Sequence, residues 1–414
     1  VILANPQGVT VNGGGFINVD RATVTTGRPE FDGDRLRLRV EGGDVRIDGA
    51  GINASNITGF DVVSRAAEIN AQVHANDLTV TTGRNDYDPA TRQATPLAPG
   101  GSAAPTVAID STALGGMYAG RITLTSTEKG VGVNLDGVVQ SVGDLEITAD
   151  GRLAVKAAQA GGNMKLEAKN SGLNVKKAAV AEGNLSATAE RIDIGSEAVL
   201  AAGLDLRLEA AQALNLDREA WAVGGRSAEV ATDSLTLAEK AALEGGSLKI
   251  TATTLTADKA SLAGGGNLEI YGDSVSLRES SLAAGNVLWL DLDDSLTLDA
   301  GSAALGYGGV RVRAASVENR GLIYSGGSAE FRVADSLKNL GGADILTQGD
   351  ILITGAGPNE RVALVRNEQS GIETLGGSIR LEADLFENWC GSTATHEVAD
   401  GMDYHAIATN FGPD

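Results

Sequence analysis

Gly246-Ser-Leu-Lys-Ile-Thr-Ala252 and Gly266-Asn-Leu-Glu-Ile-Tyr-Gly272 are two copies of one unit whose repetition decides the fold of this chain. The unit returns roughly every twenty residues, and such self-similarity at a fixed period is typical of solenoid proteins. Further copies begin at Gly143, Gly162 and Gly183, with looser ones at Gly203, Gly225, Asn286, Gly309 and Gly327.

Two further apolar pulses follow the opening strand of each unit, so each unit contains three short strands. The second pulse has the form Leu-x-Leu and occurs at Leu173/Val175, Ile192/Ile194, Leu214/Leu216, Leu235/Leu237, Val275/Leu277 and Leu296/Leu298. The third is richer in alanine and is predicted at Val180, Val199, Trp221, Leu243, Leu262 and Leu282. Three strands per unit predict a triangular coil.

Alternation with period two places Leu248, Ile250 and Ala252 on one face, with Lys249 and Thr251 on the other. A single unit cannot bury its apolar face, whereas stacked units merge these faces into one column. The sequence therefore predicts an all-β fold, a right-handed parallel β-helix with three strands and roughly 20 residues per coil. An amphipathic helical repeat fits poorly, because the apolar residues recur at i, i+2 and i+4.

Composition agrees with a solenoid and excludes several partners. The chain has 55 glycines for its corners but only 8 prolines to interrupt its ladders. A formal charge of −21 argues against nucleic acid or an anionic membrane surface as partner. The single cysteine excludes an internal disulfide framework, and no apolar run is long enough to predict a membrane span.

Residues 1–142 alternate strongly but in longer, less regular units. Predicted coil strands include Gly15-Phe-Ile-Asn-Val19, Leu36-Arg-Leu-Arg-Val40 and Phe60-Asp-Val-Val63. Residues 84–105 lack an apolar period and contain four prolines, so they are predicted to leave the helix as an extrahelical loop, a hairpin or a flap. The repeat becomes irregular after about residue 342, and the segment 355–377 is predicted to form loops that contact a partner.

Two stretches resemble a known family, the two-partner secretion exoproteins. Asn5-Pro-Gln-Gly-Val9 resembles the Asn-Pro-Asn-Gly-Ile element of their secretion domain. Ala67-Glu-Ile-Asn-Ala-Gln-Val-His-Ala75 and Leu114-Gly-Gly-Met-Tyr-Ala-Gly-Arg-Ile122 are similar to the end of that domain in filamentous haemagglutinin-like and contact-dependent growth inhibition exoproteins. The resemblance covers about residues 1–140 by motif and the remainder by haemagglutinin-type repeats.

The resemblance implies an exported surface protein of Gram-negative bacteria, secreted and associated with the outer membrane. It divides the chain into the distal part of a secretion domain, residues 1–142, and haemagglutinin-type β-helix repeats, residues 143–414. It assigns a secretion motif to Asn5, Pro6 and Gly8, recognised with the domain by an outer-membrane transporter, a barrel with periplasmic domains. The same Asn-Pro-x-Gly sequence is also a good turn in any protein.

The ends of the chain lead to a further expectation. Val1-Ile-Leu-Ala4 begins inside an apparent strand, and the family's N-terminal cap with a further Asn-Pro element is expected upstream. A toxin domain, if present, is expected beyond Asp414. We therefore expect this chain to be a fragment.

Two functions within the family stay open: a shaft that supports adhesion to a target-cell receptor or glycan, and the stick of a contact-dependent growth inhibition toxin-delivery protein. A β-helical carbohydrate-active enzyme is a distant alternative, because such enzymes project acids from neighbouring coils. Candidate acids are Asp291, Asp293 and Asp294, or Glu146, Glu167 and Glu269. The three glutamates are predicted at matching outward positions of the first strand. Ser186, Arg207 and Lys249 occupy that position in other copies, so solvated ladders are the favoured interpretation and no catalytic residue is assigned.

Metal and cofactor chemistry has little support in the sequence. Cys390, His396, Asp400, Asp403 and His405 are the metal-ligand types that cluster, but their spacing matches no zinc module. His74 is predicted to be a solvent-facing strand residue. No calcium-binding nonapeptide and no phosphate loop occur, so no cofactor is expected.

Overall fold

The computed structural model describes residues 1–389 and the strands Glu397–Asp400 and Asp403–Ala406. Every regular element in the described residues is a β-strand, and parallel strands form a right-handed β-helix with about 21 residues per turn. The predicted fold class is confirmed. The chain divides into two compact units, Val1–Ala211 and Gln212–Asp414. No helix in the described part of the chain is long and apolar enough to cross a bilayer.

Twenty strands lie wholly in the first unit. They are β1 Ile2–Ala4, β2 Val9–Asn12, β3 Arg21–Thr25, β4 Arg28–Asp32, β5 Arg35–Val40, β6 Asp44–Asp48, β7 Ile52–Ala54, β8 Gly59–Ser64, β9 Ala66–Ile69, β10 Val73–Thr82, β11 Asn85–Asp88, β12 Gln93–Pro96, β13 Val107–Ser111, β14 Met117–Ser126, β15 Gly132–Ser141, β16 Leu145–Ala149, β17 Leu153–Ala160, β18 Met164–Ala181, β19 Leu185–Ile194 and β20 Val199–Ala202.

The remaining described strands follow in chain order. They are β21 Asp205–Leu216, β22 Trp221–Gly224, β23 Ser227–Leu237, β24 Ala242–Gly245, β25 Leu248–Asp258, β26 Ser261–Gly264, β27 Leu268–Arg278, β28 Ser281–Ala284, β29 Val287–Leu298, β30 Ala303–Gly306, β31 Gly309–Asn319, β32 Leu322–Ser325, β33 Ala329–Leu340, β34 Asp344–Thr347, β35 Ile351–Thr354, β36 Val362–Glu368, β37 Gly371–Thr374, β38 Ile379–Trp389, β39 Glu397–Asp400 and β40 Asp403–Ala406.

Stacked apolar columns form the core of each unit. In the second unit Leu248 lies against Leu268, which lies against Leu288, and each is at most 1% exposed. In the first unit Val80 lies against Leu124 and Leu124 against Ile147 in the same way. Equivalent residues of successive coils thus bury each other, as the repeat predicts.

The third apolar pulse was predicted one residue out of place in three coils. The inward residues there are Ala179, Leu200 and Ala222, while the predicted Val180, Val199 and Trp221 point outward, Trp221 with 41% exposure. A shift of one residue moves a strand's side chains to its other face. In two of these coils the inward residue is an alanine, which looks weakly apolar in sequence, and in the third Val199 and Leu200 are both apolar, so composition does not indicate which of them faces inward.

An antiparallel sheet of four strands, in the order β12-β11-β5-β4, lies outside the coils of the first unit. Strands β11 and β12 form a hairpin, so the predicted excursion at 84–105 is confirmed. The prediction that residues 36–40 form a coil strand is wrong, because this segment pairs with β11 and β4 instead. The prediction of a strand at Gly15–Val19 is also wrong, because Gly15 makes an isolated bridge to Asn53 and the following residues form no strand. Leu38 and Val40 are fully buried against Val63 and Tyr87, so their alternation reflects a second sheet with the same period.

Hydrogen bonds between successive coils explain why the repeated unit opens with Gly-Asp or Gly-Asn. The Oδ1 atom of Asp144 accepts from the backbone N–H of Asn163 at 2.8 Å, and Oδ1 of Asn163 accepts from that of Asn184 at 3.0 Å. Each side chain therefore satisfies the corner of the next coil. A different ladder runs inside the second unit through Asn319, Asn339 and Asn367.

Coils beyond residue 342 are longer. Asp350 bonds to Ser378, 28 residues away, whereas Asn319 bonds to Asn339, 20 residues away. One loop precedes β36 and is closed by the backbone bond from Gly355 N–H to Glu360 C=O at 2.9 Å. The prediction of loops across 355–377 is wrong for β36 and β37, which pair in parallel with β33 and β34 as coil strands.

Candidate functional site

The predicted motif residues Asn5, Pro6 and Gly8 lie together in one tight turn between β1 and β2. The N–H of Gly8 donates to the carbonyl of Asn5 at 3.0 Å, and the N–H of Gln7 donates to Oδ1 of Asn5 at 3.2 Å. Gly8 has φ +127°, a conformation that L side chains rarely adopt. Proline presets one central position and the asparagine side chain closes the loop, so each residue type has a local structural reason.

The turn is anchored to the next coil by close backbone packing. The N–H of Asn5 donates to the carbonyl of Thr25 at 2.9 Å. Gly43 has φ +76°, and a Cβ atom added there would lie 2.6 Å from the carbonyl oxygen of Pro6. The side chains of Asn5 and Gln7 remain exposed. The turn thus presents two amide side chains on a fixed backbone.

A charged cluster joins the coils to the hairpin of the extrahelical sheet. Asp77 on β10 contacts the guanidinium groups of Arg21 at 3.2 Å, Arg92 at 2.8 Å and Arg121 at 3.3 Å. Asp61 on β8, whose side chain is 1% exposed, pairs with Arg21 at 2.8 Å. Because Arg92 lies in the turn between β11 and β12, these contacts fix the hairpin over β10.

Burial and neighbouring charges shift the pKa values of this cluster in opposite directions. Burial raises the pKa of Asp61 despite the opposing effect of Arg21. Burial alone would also raise the pKa of Asp77, but hydrogen bonds and ion pairs with Arg92 and Arg121 outweigh it and hold that pKa below its ordinary value. The shared arginines therefore favour the charged form of Asp77 more strongly than that of Asp61.

The segment following the hairpin is held by a second ion pair. Nη2 of Arg65 lies 2.8 Å from Glu128, and Nη1 of Arg65 donates to the hydroxyl of Ser102 at 2.7 Å. Arg65 is only 7% exposed. Nη1 of Arg84 donates to the carbonyl of Glu41 at 3.1 Å. The extrahelical segment is thus tied to the coils at several points.

The acids proposed as alternative catalytic groups do not occupy equivalent positions. In register Glu146 lies beside Lys165, whereas Glu167 lies beside Thr148, two residues further along the strand. The predicted match of Glu146 with Glu167 is therefore wrong, although Glu269 does lie beside Lys249. Glu146 lies three residues after Gly143, whereas Glu167 lies five residues after Gly162. The two side chains therefore share the outward face but not the same position in the repeat.

Cations neutralise most of these acids. Nζ of Lys165 lies 3.2 Å from Glu146 and 3.0 Å from Glu167. Arg313 pairs with Asp291 and lies 3.6 Å from Asp293. This arrangement is what a solvated ladder of mixed charges requires, since like charges in adjacent strands repel.

No group of three or more His, Cys, Asp or Glu side chains in the described residues is placed to hold a metal ion. Cys390 and His396 lie outside the described residues, and the side chains of Asp400, Asp403 and His405 are outside them as well. His74 lies on the outer face of β10, where its ring stacks on that of Tyr118 with centroids 5.2 Å apart.

Sequence reasoning missed the charged cluster, although one signal was present. Gly59-Phe-Asp-Val-Val-Ser64 is nearly continuous in apolar character, and every residue of this strand is buried. A strand buried on both faces must be covered by a second layer. A carboxylate in such a strand requires a cationic partner, which points to the arginines nearby.

Comparison with known proteins shows what this chain is similar to. Residues 1–155 match the TPS secretion domain family. A tRNA nuclease CdiA of Escherichia coli strain STEC_O31 is 47% identical over 165 residues, which are 39% of this chain and 5% of that protein. A tRNA nuclease CdiA of Yersinia mollaretii is 41% identical over 212 residues, covering 51% of this chain and 7% of that protein.

A solved structure titled as the filamentous hemagglutinin secretion domain is 36% identical to this chain. The match covers 45% of this chain and 61% of that structure, with a TM-score of 0.36. This chain spans only about a twentieth of the length of the curated relatives that it matches.

Proposed function

We propose, because this chain belongs to the two-partner secretion exoproteins, that residues 1–142 act in its export and that residues 143–414 form a shaft that supports adhesion to cells. The protein is a secreted β-helical exoprotein, located at the bacterial cell surface in association with the outer membrane. The proposed partners are an outer-membrane two-partner secretion transporter and, on a target cell, a receptor or glycan.

One observation carries the export proposal: the family match over residues 1–155 includes a rigid turn with exposed amide side chains. A transporter with periplasmic domains could recognise Asn5, Pro6 and Gly8 in this turn or in the chain before it folds. The Asn5 side chain is exposed and accepts a hydrogen bond from the N–H of Gln7 within the turn, while its bond to Thr25 is made by the backbone. The side chain can therefore be changed with little effect on the core.

The test is Asn5→Ala in the full-length protein, with the secreted fraction measured by immunoblot. We expect secretion to fall while the thermal unfolding of the purified protein stays close to that of wild type. Thr10→Ala, at an exposed position of β2, is the control and should be secreted normally. Unchanged secretion of Asn5→Ala would remove the proposed role of this side chain.

A stick for toxin delivery is the second candidate function. It is favoured by relatives named tRNA nuclease CdiA, which align with this segment at 41 to 47% identity. The two functions are distinguished by the gene beyond Asp414. A nuclease-like or pore-like C-terminal region with a small neighbouring immunity gene would favour growth inhibition, and its absence would favour adhesion.

We propose that this segment itself has no catalytic activity, since the family that matches residues 1–155 is a secretion domain. A β-helical carbohydrate-active enzyme is the remaining alternative. Incubation of the purified chain with soluble polysaccharides, followed by a reducing-end assay, tests it directly. Release of reducing ends above the level of a heat-denatured sample would contradict the proposal.

A further inference from the structure

A groove of about 530 Å³ lies on the outer surface of the first unit, beside the register shifts of β15, β17 and β18. Three of its lining residues are lysines, Lys156, Lys176 and Lys177. Asp110, Asn134 and Asp136 line it as well. Its volume is within the range of about 300 to 1,000 Å³ that is usual for small-molecule sites.

Strand irregularities bring the lysines together. Between β17 and β18 the register shifts, so that Lys156 lies opposite two residues, Lys176 and Lys177. The preceding pair, β15 and β17, shifts at the same place, where Asp136 lies opposite Lys156. Bulges re-aim side chains and recur beside functional sites. Here stacked bulges direct charged groups from three successive coils into one groove.

Hydrogen bonds hold one side of the groove in place. Nδ2 of Asn134 donates to Oδ1 of Asp110 at 2.8 Å. Nζ of Lys176 donates to Oδ1 of Asp136 at 2.7 Å and to Oδ1 of Asn134 at 3.3 Å. The hydrogen bond from Lys176 lowers the pKa of Asp136, with a smaller contribution from Lys156. These groups form a chain with fixed orientations.

The charges in the groove differ from those of the chain as a whole. The chain carries a formal charge of −21, yet three lysines converge here on two carboxylates. Lys176 is engaged by Asp136, whereas Lys156 and Lys177 are exposed. A ligand carboxylate would meet these two ammonium groups, and its hydroxyls would meet the oxygens of Asp110 and Asn134.

We propose that this groove binds an acidic sugar unit, a hexuronic or nonulosonic acid of a cell-surface glycan. The inference rests on the proposed adhesive function and specifies where in this segment a glycan would bind. A singly charged carboxylate with neighbouring hydroxyls fits the mixed groups better than phosphate does, because Asp110 and Asp136 repel a dianion. A neutral sugar leaves Lys156 and Lys177 without a charged partner.

The test measures binding of free N-acetylneuraminate and galacturonate to the purified 414-residue chain by ligand-observed NMR, with galactose and inorganic phosphate as comparison ligands. We expect saturable binding of at least one acidic sugar with Kd on the order of 1 mM. Galactose and phosphate should bind about tenfold more weakly. The double substitution Lys156→Ala/Lys177→Ala should weaken binding of the acidic sugar about tenfold.

Lys169→Ala is the matched control, since Lys169 is exposed on the same strand as Lys176 and Lys177 but does not line the groove. It should leave binding unchanged. Equal binding of phosphate, or equal loss in Lys169→Ala, would identify a nonspecific anion effect and overturn the proposal. Absence of any sugar binding would also overturn it. Adhesion of the same chain to cells, measured in parallel, reports on the proposed function independently of the groove.

Discussion

Nδ2 of Asn339 donates to Oδ1 of Asn367 at 2.9 Å, although the two residues are 28 apart in the chain. Asn339 also donates to the carbonyl of Gly371 at 2.8 Å and accepts from Asn319 at 2.8 Å. Asn319 and Asn339 are fully buried. The ladder thus replaces part of an apolar column with amides that satisfy one another and the adjacent corners.

Asn339→Asp should destabilise the second unit strongly. The carboxylate cannot donate to Asn367 or Gly371, and its charge is buried among acceptor oxygens, so we expect a loss of about 2 to 4 kcal/mol. Denaturation followed by circular dichroism measures it. Asn359→Asp makes the same chemical change at an exposed position and should have little effect. Equal stability of the two variants would contradict the structural role of the ladder.

Asp77→Asn should release the extrahelical hairpin at neutral pH. Removing this carboxylate leaves Arg92 and Arg121 without this ion pair, while Arg21 keeps Asp61, and we expect a loss of about 1 to 3 kcal/mol at this partly buried site. Hydrogen exchange of amides in β11 and β12 would detect the opening. Asp61→Asn should have a smaller effect, because burial already raises the pKa of Asp61 and disfavours its charge.

The effect of Asp77→Asn should depend on pH in a defined direction. The pKa of Asp77 is lower in the folded protein than its ordinary value, so its ion pairs contribute stability above that value and lose it as pH falls through the folded value. The difference between wild type and Asp77→Asn should therefore shrink below about pH 4. A difference that stays constant between neutral and acidic pH would contradict this account.

Leu248→Asp and Leu268→Asp should stall export of the full-length protein. These residues lie against each other in adjacent coils and are at most 1% exposed, so a carboxylate at either position prevents the coils from stacking. If folding outside the cell draws the chain outward, less protein should reach the medium. Thr254→Asp, at an exposed position of β25, should be exported normally. Normal export of the leucine variants would refute a driving role for coil folding.

Gly43→Ala should loosen the Asn5 turn without changing any side chain of the motif. The new Cβ would lie 2.6 Å from the carbonyl oxygen of Pro6, and φ +76° is unfavourable for alanine. We expect a loss of about 1 to 3 kcal/mol from this strain. Gly42→Ala, where a Cβ meets no atom within 4 Å, is the control. If Gly43→Ala reduces secretion as Asn5→Ala does, the turn geometry matters for export.

The regular coils could be predicted from sequence because their core is local and periodic. Leu248, Ile250 and their equivalents alternate with polar residues, so strand, face and stacking partner follow from the repeat alone. The position of Trp221 could not be decided in this way. Its neighbour Ala222 is the buried residue, and an alanine next to a tryptophan does not indicate which of them faces inward.

Periodicity alone could not predict the contacts between segments that are distant in the chain. Leu38 and Val40 alternate as a coil strand does, but they pack under Tyr87 in a separate sheet. Alternation defines a buried face without naming the layer that covers it. The asparagine ladder, by contrast, is visible in the sequence. An apolar residue, a charged residue and an asparagine recur in successive coils at Val317-Glu-Asn319, Leu337-Lys-Asn339 and Val365-Arg-Asn367.

The extrahelical sheet has a kinetic consequence. Its inner strands β5 and β11 are distant in the chain: Val40 pairs with Asn85, and the adjacent residues Glu41 and Arg84, which bond to each other, are 43 residues apart. When such a chain is delivered from its N-terminal side, β4 and β5 must wait until the intervening coils have formed before β11 arrives. During that interval Leu38 and Val40 lack the cover of Tyr87. Completion of this sheet is therefore a nonlocal event in an otherwise sequential assembly.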